Sequence, residues 1–199
     1  MTTSTDLSEY SAVEKLRDGR LIEIRAIKPQ DRDEMMRTVG RASTESHYTR
    51  FFSPKREFSD REIDYFLNVD FVEHVALVAV AEESGRRVIA GGGRYIVSRP
   101  GSAEVAFGLV DKYQGRGIAS ALMRHLIGIA RSAGIEEFQA DVLPGNLAML
   151  RVFEKSGLEI STARGEGIVH VVMRFPPSVS AALSKKGESI EGEESRMNK

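Results

Sequence analysis

The sequence predicts an α+β domain in which helices flank a mixed, largely antiparallel central sheet. Two observations carry this. The order of elements is a hairpin, two helices, three strands, then helix, strand, helix and two closing strands. Only one long helical run separates strands in the manner of a crossover, and the remaining extended runs are joined as antiparallel neighbours are.

The elements follow in turn. Val13–Leu16 and Leu21–Ile27 are extended runs on either side of Asp18-Gly19, a hairpin signal. Pro29 sits at a helix start, with Asp31, Asp33 and Glu34 in the first turns, where the helix dipole favours acids. Ser59-Asp60-Arg61-Glu62 is a capping box, and Ile63, Phe66 and Leu67 give that helix an apolar stripe. Val75–Ala81 reads as a buried strand, paired through Glu83-Ser84-Gly85 with Arg87–Val97, and Ala103–Val110 is a third strand. A helix runs from about Gly117 to Ala133, because Ile118, Leu122, Leu126, Ile129 and Ala133 recur at near-helical spacing. Phe138–Leu143 is a strand, Asn146–Ser156 a helix closed by Gly157, and Leu158–Thr162 and Ile168–Phe175 complete the sheet.

A chain of 199 residues, 41% hydrophobic and 29% charged, has the length and composition of one packed domain with polar ends. Residues 1–12 are expected to form a flexible N-terminus, 13–175 the domain, and 176–199 a disordered tail rich in Pro, Ser, Lys, Gly and Glu. Lys plus Arg number 28 against 29 Asp plus Glu, which excludes the strong basic field of a general nucleic-acid binder. There is no cysteine, so disulfides, thiolate metal sites and a cysteine nucleophile are all excluded. The first residues show no secretory pattern and no run approaches 18 apolar residues. A cytoplasmic location and no membrane partner are expected.

The stretch that carries chemistry is Leu109-Val110-Asp111-Lys112-Tyr113-Gln114-Gly115-Arg116-Gly117-Ile118-Ala119. A strand ends, a glycine turn follows, and a long amphipathic helix begins. Glycines there let backbone N–H groups approach an anion, and the helix start adds unpaired donors and its dipole. That geometry suits a nucleotide-like diphosphate, with an ordinary glycine turn as the alternative reading. The Gly-Lys-Ser/Thr of a P-loop is absent, and a dinucleotide fingerprint lacks its third glycine because position 120 is Ser120.

Gln114-Gly115-Arg116-Gly117-Ile118-Ala119 resembles the Gln/Arg-x-x-Gly-x-Gly/Ala signature of the GNAT superfamily of N-acetyltransferases. Asn146, followed by Phe153-Glu154-Lys155-Ser156-Gly157-Leu158, resembles the asparagine and closing motif of the same family. The resemblance runs from about Leu21 to Phe175. His47–Pro54 and Asp70–Val80 further resemble the acetyltransferase domain of bacterial Pat-type protein lysine acetyltransferases. Such domains often accompany an acyl-CoA-synthetase-like or nucleotide-binding regulatory domain, and neither is expected within these 199 residues.

The resemblance implies acetyl-CoA as acyl donor and an amine as acceptor, either a protein lysine or a small molecule such as a polyamine, amino acid or antibiotic. A catalytically weak acyl-CoA-binding module is the alternative of a different class. The likeness assigns the backbone of Phe107, Gly108 and Leu109 to the pantetheine arm, with the Leu109 N–H as donor to the thioester carbonyl. Gln114, Gly115, Arg116, Gly117, Ile118, Ala119 and Ser120 form the diphosphate loop, where Arg116 adds a charge-assisted contact. Asn146 is expected on the far part of the CoA arm. A lysine amine, with an ordinary pKa near 10.4, needs a base. Glu104 is the first candidate, sharing a strand face with Ala106 and Gly108, and Asp141 is the second. Many relatives carry tyrosine as general acid where this sequence has Phe153, which puts that step in doubt. Tyr95 and Tyr113 are read as structural. Without a cysteine, direct transfer in a ternary complex is favoured.

Other features attract structural readings. Gly91-Gly92-Gly93 lies inside a strand pattern and reads as a bulge or a close backbone approach. His47, His74, His125 and His170 show no metal-ligand spacing. Arg50, Phe51 and Phe52 read as a core-edge cluster beside the acceptor cleft. Arg86, Arg87, Arg94 and Arg99 read as solvated charges. Exposed strand edges leave a homodimer open.

Overall fold

The structure, a computed structural model, describes residues 6–41 and 59–176. The His47–Pro54 segment, residues 1–5 and the tail from 177 lie outside the described residues.

A hairpin of β1 (Ser11–Lys15) and β2 (Leu21–Ala26) leads into helices α1 (Arg32–Arg41) and α2 (Asp60–Leu67). The meander β3 (His74–Glu83), β4 (Arg86–Arg99) and β5 (Ser102–Leu109) follows. Then come α3 (Ile118–Ser132), β6 (Glu137–Val142), α4 (Leu147–Glu154), β7 (Glu159–Gly165) and β8 (Ile168–Arg174). The strands form one sheet in the order β1-β2-β3-β4-β5-β6-β8-β7. Every pair is antiparallel except β5–β6, which α3 bridges as the single crossover. The predicted mixed, largely antiparallel α+β sheet is therefore the one observed.

Each face has its own cover. On one face Ile118, Leu122 and Leu126 of α3 pack on Val105, Phe107 and Phe138, with Phe153 of α4 beside them. The other face, over Ala76, Val78 and Ile89, is covered by Met35 of α1 and Leu67 of α2. The central strand β3 is buried on both sides, which is why Val75–Ala81 is apolar without alternation. The predicted capping box starts α2: the Ser59 hydroxyl accepts from the Glu62 N–H (3.4 Å), and the Glu62 carboxylate accepts from the Ser59 N–H (2.9 Å). Helix α3 stops one residue before Ala133, which is exposed at the cap.

Regular structure begins earlier than residue 13. Leu7–Glu9 form a 3-10 turn and Ser11 already pairs with Arg25. A relay onto α3 holds this segment. His125 Nε2 donates to Glu14 (2.9 Å), which leaves Nδ1 to accept from the Tyr10 hydroxyl, and Arg124 adds a 2.9 Å bond to the same carboxylate. The polar composition of the stretch conceals these partners.

The triple glycine is a close approach, and the bulge lies just before it at Ala90. Between β3 and β4 the register slips: Ala79 faces Gly91 while Val80 faces Ile89, leaving Ala90 unopposed. On the other edge Gly93 faces Phe107, and a Cβ on Gly93 would lie 2.8 Å from the Phe107 ring and 3.2 Å from Leu126.

Tyr95 is fully buried against Phe138, and its hydroxyl has no hydrogen-bond partner among the described residues. Burial pushes its pKa up to about 12. The Tyr113 hydroxyl is committed to Glu83. Both tyrosines are thus structural. Tyr95→Phe deletes an orphaned polar atom, so it is expected to leave stability unchanged or raise it by up to about 1 kcal/mol. Urea unfolding measures this, and a loss of stability would reveal a partner for the hydroxyl.

Candidate active site: the cleft where two strands part

β5 and β6 are paired only at Ser102–Glu137, Ala103–Phe138 and Glu104–Gln139. Past that point β5 continues to Leu109 along β4, while β6 continues to Val142 along β8. The gap is a cleft of about 1020 Å³ lined by residues of β5, the glycine turn, the start of α3, the end of β6 and α4. It is at the upper end of small-molecule sites, which run to roughly 1,000 Å³.

The unpaired edge of β5 supplies backbone groups. The Val110 N–H donates to Ala90 O on β4 (3.0 Å). Alternation then turns the Leu109 N–H to the opposite edge, into the cleft. Phe107 forms part of the floor, its ring packed on that of Phe153 at 6.2 Å between centroids.

At the other end the turn after β5 closes through Asp111–Tyr113 and delivers Gly117 as the N-cap of α3 at φ 92°, a left-handed conformation suited to glycine. Among the described residues no side chain caps α3, and no acid stands in its first turn. The first amides of a 15-residue helix are therefore left without intrahelical acceptors at the cleft wall. That arrangement attracts an anion.

Of the residues expected from the sequence, Glu104, Phe107, Gly108, Leu109, Gln114, Gly115, Gly117, Ile118, Ala119, Ser120, Asp141 and Asn146 all line this one cleft. Arg116 does not. Its guanidinium lies 3.7 Å from Asp18 and 5.6 Å over the Tyr113 ring. The arginine that does line the cleft at this end is Arg17, from the β1–β2 turn, which the sequence reading passed over. Asn146 has a second duty: its side-chain oxygen accepts from the Met149 N–H (3.1 Å) and caps α4, so its amide nitrogen is the group left for a ligand.

The two candidate bases share one sheet face, opposite α3. Glu104 is exposed and makes no hydrogen bond or ion pair with the described residues. Asp141 accepts from His170 Nδ1 at 2.6 Å, across the β6–β8 pair. One carboxylate is thus available to a substrate and the other is already engaged.

On β4, outside the cleft lining, one expectation is corrected. Arg94, expected in solvent, is buried: its guanidinium lies 4.4 Å over the Phe66 ring and donates to His74 Nε2 (3.1 Å). Burial, then the Arg94 charge, holds His74 below its usual pKa, in the neutral form that can accept this bond. No cluster of three or more His, Cys, Asp or Glu side chains is placed to hold a metal among the described residues.

The model of the acetyltransferase (GNAT) family matches residues 41–158, more than half of the chain. The chain belongs to the GNAT family. It is 33% identical to Acetyltransferase PA5475 of Pseudomonas aeruginosa over 138 residues, 69% of this chain and 74% of that one. It is 30% identical to Acetyltransferase Pat of Mycolicibacterium smegmatis over 165 residues, 82% of this chain but 48% of that protein. The chain therefore spans about half the length of the mycobacterial relative. The crystal structure of the GNAT domain of S. lividans PAT superposes with a TM-score of 0.75 at 33% identity, covering 83% of this chain and 97% of that domain. The likeness to Pat-type acetyltransferases is thus met in both sequence and fold, and the chain is an acetyltransferase of this family.

Proposed function

We propose that this GNAT domain transfers an acetyl group from acetyl-CoA directly to an amine, and that the amine is a protein lysine side chain. The observation that carries the reading is the parting of β5 and β6. It exposes the Leu109 N–H beside an uncapped helix start, with the carboxylate of Glu104 on the open face of the same strand.

The acetyl-CoA thioester carries no catalytic power of its own until it is held and polarised. The uncapped amides of α3 bind its diphosphate, and the β5 edge pairs with its pantetheine amides. The Leu109 N–H donates to the thioester carbonyl and stabilises the negative oxygen that forms as the amine attacks. The amine nitrogen bonds to the carbonyl carbon, the carbon–sulfur bond breaks, and CoA leaves as a thiolate. Glu104 takes the proton the nitrogen loses, directly or through a water. Phe153 offers no proton, so the thiolate is protonated by solvent. No cysteine is available for an acyl-enzyme.

The lysine acceptor rests on the likeness to Pat-type relatives, and the test separates it from the donor. Calorimetric titration with acetyl-CoA, with CoA and NAD as comparisons, is expected to show saturable binding of the acyl donor and none of NAD. Thiol release is then measured against lysine peptides, polyamines and free amino acids. Release with lysine peptides supports the full reading. Release only with small amines overturns the protein acceptor, and absence of acetyl-CoA binding overturns the donor.

A further inference from the structure

We infer that the β1–β2 turn is a working part of the donor site, and that Arg17 at its tip holds a phosphate of the coenzyme. The inference rests on the reading of the cleft as an acetyl-CoA site.

Four observations converge on Arg17. It lines the cleft, although it lies a hundred residues before the glycine turn in sequence. Its Nε is 3.8 Å from where a Cβ on Gly117 would stand, so the guanidinium hangs over the N-cap of α3, where the unpaired amides begin. It forms no ion pair or hydrogen bond with the described residues, whereas its neighbour Arg20 donates twice to Asp18 Oδ2 (2.9 and 2.6 Å). Finally, Arg116, the arginine of the glycine turn itself, is turned out of the cleft toward the same Asp18 at 3.7 Å.

These facts describe a division of labour. Asp18 takes up Arg20 and Arg116, and Arg17 beside the helix start is left unneutralised by any of the described residues. A planar fork beside a row of backbone donors is the arrangement that grips a phosphate from two sides. The other described cations lining the cleft are Arg151 on α4 and Lys155 at its C-cap. The relay from Tyr10 and Glu14 to His125 fixes the hairpin against α3, which positions Arg17 before the ligand arrives.

The test is calorimetric titration of CoA and of 3′-dephospho-CoA into the whole chain and its variants. Arg17→Ala is expected to weaken CoA on the order of tenfold, and Arg17→Lys to weaken it less. Lys15→Ala, which removes a charge from the same hairpin outside the cleft, is expected to leave affinity unchanged. An equal loss for both ligands assigns the contact to the diphosphate, and a loss confined to CoA assigns it to the 3′-phosphate. If Arg17→Ala binds CoA like the wild type while Gly117→Val loses it, the role of Arg17 is overturned and the donor site stands. If the wild type binds no CoA, the donor reading falls and this inference falls with it.

Discussion

Glu104→Gln is expected to slow acetyl transfer by about a hundredfold or more, the low end of general-base contributions, while leaving acetyl-CoA affinity unchanged. The substitution keeps the shape and the hydrogen-bonding reach of the side chain and removes only its ability to take a proton. Glu104 touches no other described side chain through a hydrogen bond or ion pair, so no structural partner is orphaned and stability is expected to hold. The comparison that gives this result its meaning is Asp141→Asn. Asp141 is held by His170 at 2.6 Å, and its loss is expected to cost far less in turnover. Thiol release is a clean assay here because the protein contributes no cysteine. Equal turnover in wild type and Glu104→Gln would remove Glu104 as the base, and a larger loss in Asp141→Asn would transfer the role to the Asp141–His170 pair.

What could be read from the sequence and what could not divides by range. The capping box at Ser59, the helix beginning after Gly117 and the β3–β4 hairpin are set by residues within a turn or two of each other, and local pattern revealed them. The glycine turn was legible for the same reason. The occupant of the cleft wall was not. Arg116 belongs to the motif, yet Asp18 draws it away, and Arg17 takes its place through packing of the first hairpin on α3. Order in the described part of the first segment, around Tyr10 and Glu14, depends likewise on His125, more than a hundred positions later. Arg94 looked like one of four solvated charges, because its partners His74 and Phe66 come from another strand and from α2. Alternation put Glu104, Ala106 and Gly108 on one face, but only the fold shows that β6 leaves β5 just past Glu104 and opens the site there.

Phe107 floors that opening, and the place of its ring depends on Gly93. Gly93→Val is expected to destabilise the fold by about 2–4 kcal/mol and to weaken acetyl-CoA binding as well. Strand propensity alone predicts the reverse sign, because valine suits a strand interior and glycine does not. The structure decides between the two. A Cβ at position 93 would meet two atoms of the Phe107 ring at 2.8 Å and a Leu126 methyl at 3.2 Å. The ring is buried against Phe153 and cannot yield freely. Either β4 and β5 separate, or the ring swings toward the cleft it now floors. Gly93→Ala carries the same Cβ and is expected to show a smaller loss of the same kind. The mechanism has a specific signature: in a double-mutant cycle Phe107→Leu is expected to recover part of the Gly93→Ala loss, because the two positions share one contact. Additive losses would mean that Gly93 acts through its backbone. Gain of stability on Gly93→Val, read from urea unfolding, would mean that the sheet accommodates the side chain and that the close approach of Phe107 is not what keeps a glycine there.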